Sequence, residues 1–204
     1  MQADDTLDVT VRGEDWYAEQ LADRRFVRVT FDDVDLSETT SSGAVFEDCA
    51  FISCRFNAST HTATAFVGCT FRRTSFFDAT LDGCKFTGST FSECTLRPLR
   101  VTGGQWRAVG LRGAGLAGLD LAGIDLRESD LSMADLTGAV LRDARLGGAA
   151  VREAVLDRAD LRGAALDGVD LLSASLRDAR VDLAAAVLLA ELSGVRVELD
   201  EPGG

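Results

Sequence analysis

The sequence predicts an all-β solenoid, a right-handed parallel β-helix with four sides and a C-terminal α-helical cap. Three observations support this prediction. Large apolar residues recur at every fifth position, small residues recur two positions before them, and the repeat ends at a segment rich in helix formers. A period of five fits neither the period of about 3.6 of an α-helix nor the period of about 2 of a flat strand.

The large apolar residues occupy positions whose numbers end in 1 or 6. From Val11 to Val181 there are 35 such positions, holding 10 phenylalanines, 17 leucines, 4 valines and 2 tryptophans. The two exceptions, Ser41 and His61, lie 20 residues apart. The small position holds all five cysteines in the first half of the chain and mostly alanine in the second half.

Each five-residue repeat is therefore predicted to form one side of a square coil, with its large and its small residue pointing inward. Four sides make a coil of 20 residues, and stacked coils pair as parallel strands about 4.8 Å apart. The repeats fill almost nine coils, a rod roughly 42 Å long at that spacing. Ser41 and His61 stack on one side of adjacent coils, and we expect a bulge or local irregularity there.

The chain divides into an N-terminal lead-in (1–10), the solenoid (11–182) and a C-terminal helix with its tail (183–204). The helix is predicted over residues 183–192, because Asp182 is a good N-cap and Gly194 can end it. Residues 195–199 alternate between apolar and polar, which favours a short strand.

The predicted C-terminal helix is apolar around much of its circumference, more than one buried face requires. The surplus favours a two-fold dimer, in which Val187, Leu188 and Leu192 carry the contact. The alternative is a monomer in which the helix only caps the last coil.

The composition limits the function classes. A formal net charge of −12 argues against direct nucleic-acid binding, which needs basic surface. The chain has no apolar run long enough for a membrane span and no secretory signal at its start, so a reducing cytoplasm is expected. Cys49 and Cys69 should stack one coil apart, within reach of a disulfide, yet reduced thiols are expected in that compartment.

No catalytic arrangement, metal site or cofactor site is predicted. His61 is the only histidine, and it occupies an inward position. Aspartates recur at a spacing of five, which points them in four directions and prevents them from converging on one ion. A filled rod also lacks the pocket that small-molecule sites use.

The charge is unevenly distributed along the chain. Residues 1–46 carry 11 acidic and 4 basic residues, residues 47–116 carry 5 and 8, and residues 117–204 carry 17 and 9. A dimer joined at its C-termini would be a long rod with many carboxylates near its centre, and B-DNA is also a narrow, regularly charged rod. Mimicry of DNA is one interpretation, and an ordinary acidic surface is the other.

The repeats Ala134-Asp135-Leu136-Thr137-Gly138 and Ala159-Asp160-Leu161-Arg162-Gly163 resemble the consensus of the pentapeptide-repeat family. Three further segments resemble the fluoroquinolone-resistance proteins of the MfpA and Qnr type, and MfpA most closely: residues 94–99, His61 with Ala65-Phe66, and residues 179–182 running into the helix. The chain departs from many Qnr proteins by lacking an obvious long projecting loop, and it is longer at its N-terminus than MfpA.

This resemblance implies a homodimeric, non-enzymatic DNA mimic that binds DNA gyrase, and topoisomerase IV as a second target, and protects against quinolones or a natural gyrase poison. The alternative is a scaffolding solenoid that binds another protein. The resemblance places the partner-binding charge in the acidic C-terminal half, on Asp120, Asp125, Asp130, Asp135, Asp160, Asp170 and Asp182.

Overall fold

The computed structural model describes residues 5–198. The chain forms a four-sided parallel solenoid, in which each residue of a side pairs with the residue 20 positions later. The central residues of the second coil, Phe26, Phe31, Leu36 and Ser41, define sides one to four. On side one the ladder runs from residue 5 to residue 165 in steps of 20, which gives nine coils starting at residues 5, 25, 45 and so on.

The strands are short and end at the fifth coil. The elements are β1 (Asp5–Leu7), β2 (Thr10–Arg12), β3 (Arg25–Val27), β4 (Thr30–Asp32), β5 (Thr40–Ser42), β6 (Val45–Glu47), β7 (Ala50–Ile52), β8 (Thr60–Thr62), β9 (Ala65–Val67), β10 (Thr70–Arg72), β11 (Ala79–Asp82), β12 (Thr90–Ser92), β13 (Leu99–Thr102), a 3₁₀ turn (Leu171–Ser173) and α1 (Leu183–Leu192).

The strands form three sheets. The sheet on side one contains β1, β3, β6 and β9, that on side two contains β2, β4, β7, β10 and β12, and that on side four contains β5, β8, β11 and β13. Side three and all later coils pair through isolated bridges.

The corners follow one backbone rule. Of the 35 residues at positions ending in 3 or 8 between Asp8 and Asp178, 33 have φ between +47° and +74°. Many of these residues are not glycine, although the left-handed region is costly for other residues. The exceptions are Pro98, whose ring fixes φ at a negative value, and Ser173, which lies in the 3₁₀ turn. Both exceptions mark places where the solenoid is irregular.

The core contains the predicted inward pairs of large and small residues. From the second to the fifth coil the phenylalanine rings stack face to face with those one coil away, and Phe51 lies 4.8 Å from both Phe31 and Phe71. The small position beside them holds cysteines whose thiols donate to backbone carbonyls, as Cys69 does to Phe46. After Trp106 in the sixth coil, mostly leucine and alanine fill the same positions.

The expected bulge at Ser41 and His61 is wrong. Both residues lie in regular strands and pair directly across β5 and β8. Their side chains form a buried hydrogen-bonded chain, in which Ser41 Oγ is 2.6 Å from His61 Nδ1 and from Thr64 Oγ1, and His61 Nε2 is 3.0 Å from Ser59 Oγ. Because each polar atom has a partner, the core accepts these residues without distortion.

The C-terminal cap agrees with the predicted bounds. Asp182 accepts a hydrogen bond from the Ala185 amide at the start of α1, and Gly194 takes φ +88° after its end. The strand predicted after the helix is wrong for residues 195–198, which have no strand pairing, and residue 199 lies outside the described residues. Instead, the Val195 amide donates to the Ala190 carbonyl, which ties the start of this segment to the end of the helix.

The ladder opens between the fifth and sixth coils. On sides one and two these coils are joined by backbone hydrogen bonds, such as Phe91 to Gly110. On sides three and four, residues 93–104 make no backbone hydrogen bond to residues 112–124. One coil later the same stretch is fully bonded: Gly113, Leu116, Gly118, Leu121 and Gly123 donate to Ser132, Asp135, Thr137, Val140 and Arg142. We call this opening the cleft.

Candidate partner-binding surface

The seven predicted carboxylates occupy one position of the repeat, immediately before the central leucine, except for Asp182, which follows Val181. At this position the aspartate makes a local turn. Asp120, Asp130 and Asp135 each accept a hydrogen bond from the backbone amide two residues later, at 3.1, 2.9 and 3.0 Å. This Asx turn explains why aspartate suits the position whatever the protein binds.

Two of the seven are not exposed surface charges. Asp125 is 3% exposed and accepts two hydrogen bonds from Arg127, at 2.8 Å each, and one from Arg145 at 3.0 Å. Asp160 is 7% exposed and is held in the same way by Arg162 and Arg142. The expectation of exposed charge is therefore wrong for both, because the arginine two residues later folds back over the carboxylate.

The arginine contacts set the ionisation of these two groups. The side-chain hydrogen bonds from Arg127 outweigh desolvation and lower the pKa of Asp125. The pair with Arg162 lowers the pKa of Asp160 far below its usual range, with a further contribution from Arg142. Both carboxylates are thus ionised but neutralised by their neighbours.

The other five carboxylates have no cation within 4.0 Å among the described residues. Asp120 and Asp170 are exposed, and Asp130 and Asp135 are half-buried. Hydrogen bonds from Thr137 lower the pKa of Asp135. Partial burial opposes the ionisation of Asp130, but hydrogen bonds from Ser132 outweigh it and lower the pKa of this carboxyl. These groups lie on sides two, three and four, so they do not form a single stripe.

Asp182 has a structural role that its charge alone did not indicate. Its two carboxylate oxygens accept from the amides of Ala185 and Gly163, at 3.0 and 2.7 Å. These backbone hydrogen bonds lower its pKa. The residue thus fixes the start of α1 against the coil below it.

The three residues predicted for dimerisation differ in exposure. Val187 and Leu188 are half-buried, and Leu188 packs against the core. Leu192 is 39% exposed. The most exposed large apolar residue of α1 is Leu183, at 71%, which the sequence reasoning missed. Its position directly after the N-cap Asp182, in the first turn of the helix, was the available signal.

The inward histidine and cysteines face the core rather than a pocket. Complete burial lowers the pKa of His61 to about 4. Burial raises the pKa of Cys54 and of Cys84 to about 11, and a hydrogen bond to Cys49, together with burial, raises the pKa of Cys69 far above its usual range. Residues 5–198 contain no group of three or more His, Cys, Asp or Glu side chains placed to hold a metal ion.

None of the helices between residues 5 and 198 has the length and apolar character needed to cross a lipid bilayer. Taken together, the fold and the surface described above define a four-sided parallel solenoid with a packed core and charged sides.

The family follows from its sequence profile. The profile described as "Pentapeptide repeats" matches residues 62–96, 110–143 and 144–182 in eight copies. These segments span more than half of the chain, so the chain belongs to the pentapeptide repeat family.

Solved structures show the same fold. A trypsin-treated single-residue variant of QnrB1, described as a plasmid-mediated fluoroquinolone resistance protein, is 18% identical with a TM-score of 0.67, over 95% of this chain and 99% of that one. Full-length QnrB1 gives 18% identity and a TM-score of 0.60, over 94% and 100%. Among curated proteins, none matches the sequence.

Proposed function

We propose that this protein is a non-enzymatic DNA mimic that binds a type II topoisomerase in the cytoplasm. DNA gyrase is the proposed target, with topoisomerase IV as a second one, and the effect is protection from quinolones or from a natural gyrase poison. The shared fold with QnrB1, a fluoroquinolone resistance protein, supports this choice of partner.

The observation that carries the proposal is a set of fixed, unpaired carboxylates on the upper half of the rod. Asp120, Asp130 and Asp135 are each held by a backbone amide. A charge that is already immobile loses little conformational freedom when it replaces a DNA phosphate at a protein surface. Rigid placement therefore lowers the cost of mimicry, and the charge-removing variants below distinguish it from a merely acidic surface.

The charge density of the rod can be compared with that of DNA. Residues 117–182 contain 13 acidic and 8 basic residues, a net charge of −5 over roughly 16 Å of rod. This is one net charge per about 3 Å, whereas B-DNA has one per about 1.7 Å. One copy thus carries roughly half the charge density of DNA, so binding should weaken with salt less steeply than DNA binding does.

A homodimer through the C-terminal end would double the length of the charged rod. Leu172, Leu183 and Val195 are 51%, 71% and 56% exposed beside the half-buried Val187 and Leu188. Together with Leu192 they offer an apolar surface that a second copy can cover. Leu183→Glu should make the protein monomeric by analytical ultracentrifugation without unfolding it, because the residue makes little contact within its own chain.

The deciding experiment is supercoiling by purified DNA gyrase, with and without a quinolone, over a titration of the protein. We expect inhibition without the drug, or rescue in its presence. The triple variant Asp120→Asn, Asp130→Asn, Asp135→Asn keeps the turn acceptors and removes the charge, so it should lose most of the effect.

Asp15→Asn is the control for the turn, because Asp15 makes the same turn, with the Tyr17 amide, at the opposite end of the rod; it removes one charge, so it is compared with each single Asp→Asn variant as well as with the triple one. If the triple variant and the control behave like the wild type, the charge does not carry the contact. If the wild type has no effect well above the enzyme concentration, gyrase is not the partner, and the scaffolding alternative is favoured.

A further inference from the structure

The cleft is a second surface, which overlaps the carboxylates of the proposed function only at Asp120. It has a volume of about 570 Å³, within the range of ligand clefts, and it is lined by residues 97–101 of the fifth coil and 117–120 of the sixth. It coincides with Pro98, one of the two residues that break the corner rule. Because proline cannot take the left-handed conformation of the other corners, this corner cannot follow the path that stacks coils elsewhere.

Both walls of the cleft present backbone groups without a backbone partner. In the register of the other coils, Val101 and Gly103 would donate to Asp120 and Ala122, and Asp120 would donate to Leu99, but none of these bonds is present. Strand β13 is paired with β11 on one edge only. A free strand edge is a template for another extended chain.

The residues that line the cleft indicate which kind of ligand fits it. Leu99 and Leu119, 7% and 6% exposed, give the floor an apolar character. Arg97 donates to the carbonyl of Ala117 at 3.2 Å and has no carboxylate within 4.0 Å among the described residues. Arg100 lies beside it, paired with Asp78, and Asp120 lies on the opposite wall.

We propose that the cleft binds an extended peptide segment of a partner protein by strand addition between the fifth and sixth coils. An extended chain supplies amide donors and carbonyl acceptors on both of its edges, which is what both walls lack. Its apolar side chains contact Leu99 and Leu119, and a carboxylate side chain pairs with Arg97. This surface shares Asp120 with the proposed acidic surface, but it depends on the backbone groups of both walls and on Arg97 rather than on the aspartate charge.

The test uses a fluorescein-labelled peptide of alternating valine and glutamate, six residues long, and measures its binding to the full-length protein by fluorescence anisotropy. A second peptide with alternate backbone amides methylated keeps the side chains and the charge but cannot donate along one edge. We expect the methylated peptide, and the variant Arg97→Glu, each to weaken binding by about tenfold or more, which is about 1.4 kcal/mol.

Arg152→Glu is the matched control for charge, because Arg152 is exposed on side two, away from the cleft. Pro98→Gly restores the corner rule and should close the cleft and abolish binding. If Pro98→Gly fails to fold by circular dichroism, the methylated peptide and Arg97→Glu still decide the question.

Amide hydrogen exchange gives an independent readout. The amides of Val101, Gly103 and Asp120 should exchange faster than those of Leu121 and Gly123, and the peptide should protect them. The proposal is overturned if no peptide binds up to about 1 mM, if both peptides bind equally, or if Arg97→Glu and Arg152→Glu weaken binding alike.

Discussion

The five N-terminal coils, which we call the lower coils, and the four coils that follow from residue 105, the upper coils, fill the same core positions with different residues. The lower coils stack phenylalanine on phenylalanine at 4.7 to 4.9 Å, and their outer walls form short strands. The upper coils, after Trp106, use mostly leucine and alanine, and their walls pair only through isolated bridges. The repeat thus fixes the coil, while the size of the inward residue decides how strand-like the walls are.

The aromatic core gives way to the aliphatic core at the junction between the fifth and sixth coils. Trp106 lies 4.9 Å from Phe86 and is the last aromatic residue of the core. The cleft opens at the same level, so only sides one and two join the two halves by backbone hydrogen bonds. Gly104 takes φ +112° there, and a Cβ on it would clash with the Cys84 carbonyl oxygen. We therefore expect a destabilising core substitution in one half to unfold that half while the other half stays folded.

The largest effect should come from Leu136→Asp, which places a charge in the core of the upper half. Leu136 is fully buried, and an unpaired buried carboxylate costs several kcal/mol. Because solenoid coils depend on their neighbours, the upper coils should unfold while the lower coils keep slow amide exchange. Loss of protection throughout the rod would show that the junction transmits unfolding and would contradict the division into halves.

A matched pair of truncations compares the two cores directly. Phe51 and Leu131 are both fully buried on side two, four coils apart. Phe51→Ala removes two stacked ring contacts and should cost about 3–5 kcal/mol, and Leu131→Ala should cost about 2–4 kcal/mol. Urea unfolding measures both. Equal costs would mean that neither the larger volume of the ring nor its stacking adds stability.

The buried histidine makes the lower half sensitive to acid. The pKa of His61 is lowered to about 4 in the folded protein, against about 6.5 in an unfolded chain. The unfolded state therefore binds more protons between these values, so stability is full above pH of about 6.5 and falls by about 3 kcal/mol by pH of about 4.

To check this prediction, the free energy of unfolding is measured from pH of about 7.5 to about 4 for the wild type and for His61→Leu. This range covers the window that the two pKa values define. Leucine already occupies the stacked position Leu81, and carboxylate titration is common to both proteins. The difference between the two curves isolates the histidine. A difference that does not change with pH would mean that His61 is not responsible.

Much of the fold could be predicted from the sequence, because every repeat gives the same signal. The inward residues, the 20-residue register and the bounds of α1 all agree with the structure. The cleft could not be predicted, since it depends on how Pro98 and Gly104 alter stacking between coils. The paired arginines of Asp125 and Asp160 had a local signal, an arginine two residues later, that the charge pattern alone did not reveal.

The smallest effect concerns the aspartates that precede the central leucines. Asp130 accepts the Ser132 amide at 2.9 Å, so Asp130→Ala should cost about 1 kcal/mol, the usual worth of one hydrogen bond. Asp130→Asn keeps the acceptor and should cost less than about 0.5 kcal/mol. Urea unfolding of both variants separates the turn from the charge. If asparagine costs as much as alanine, the charge itself stabilises the coil, and Asp-to-Asn variants would no longer test partner binding without disturbing the fold.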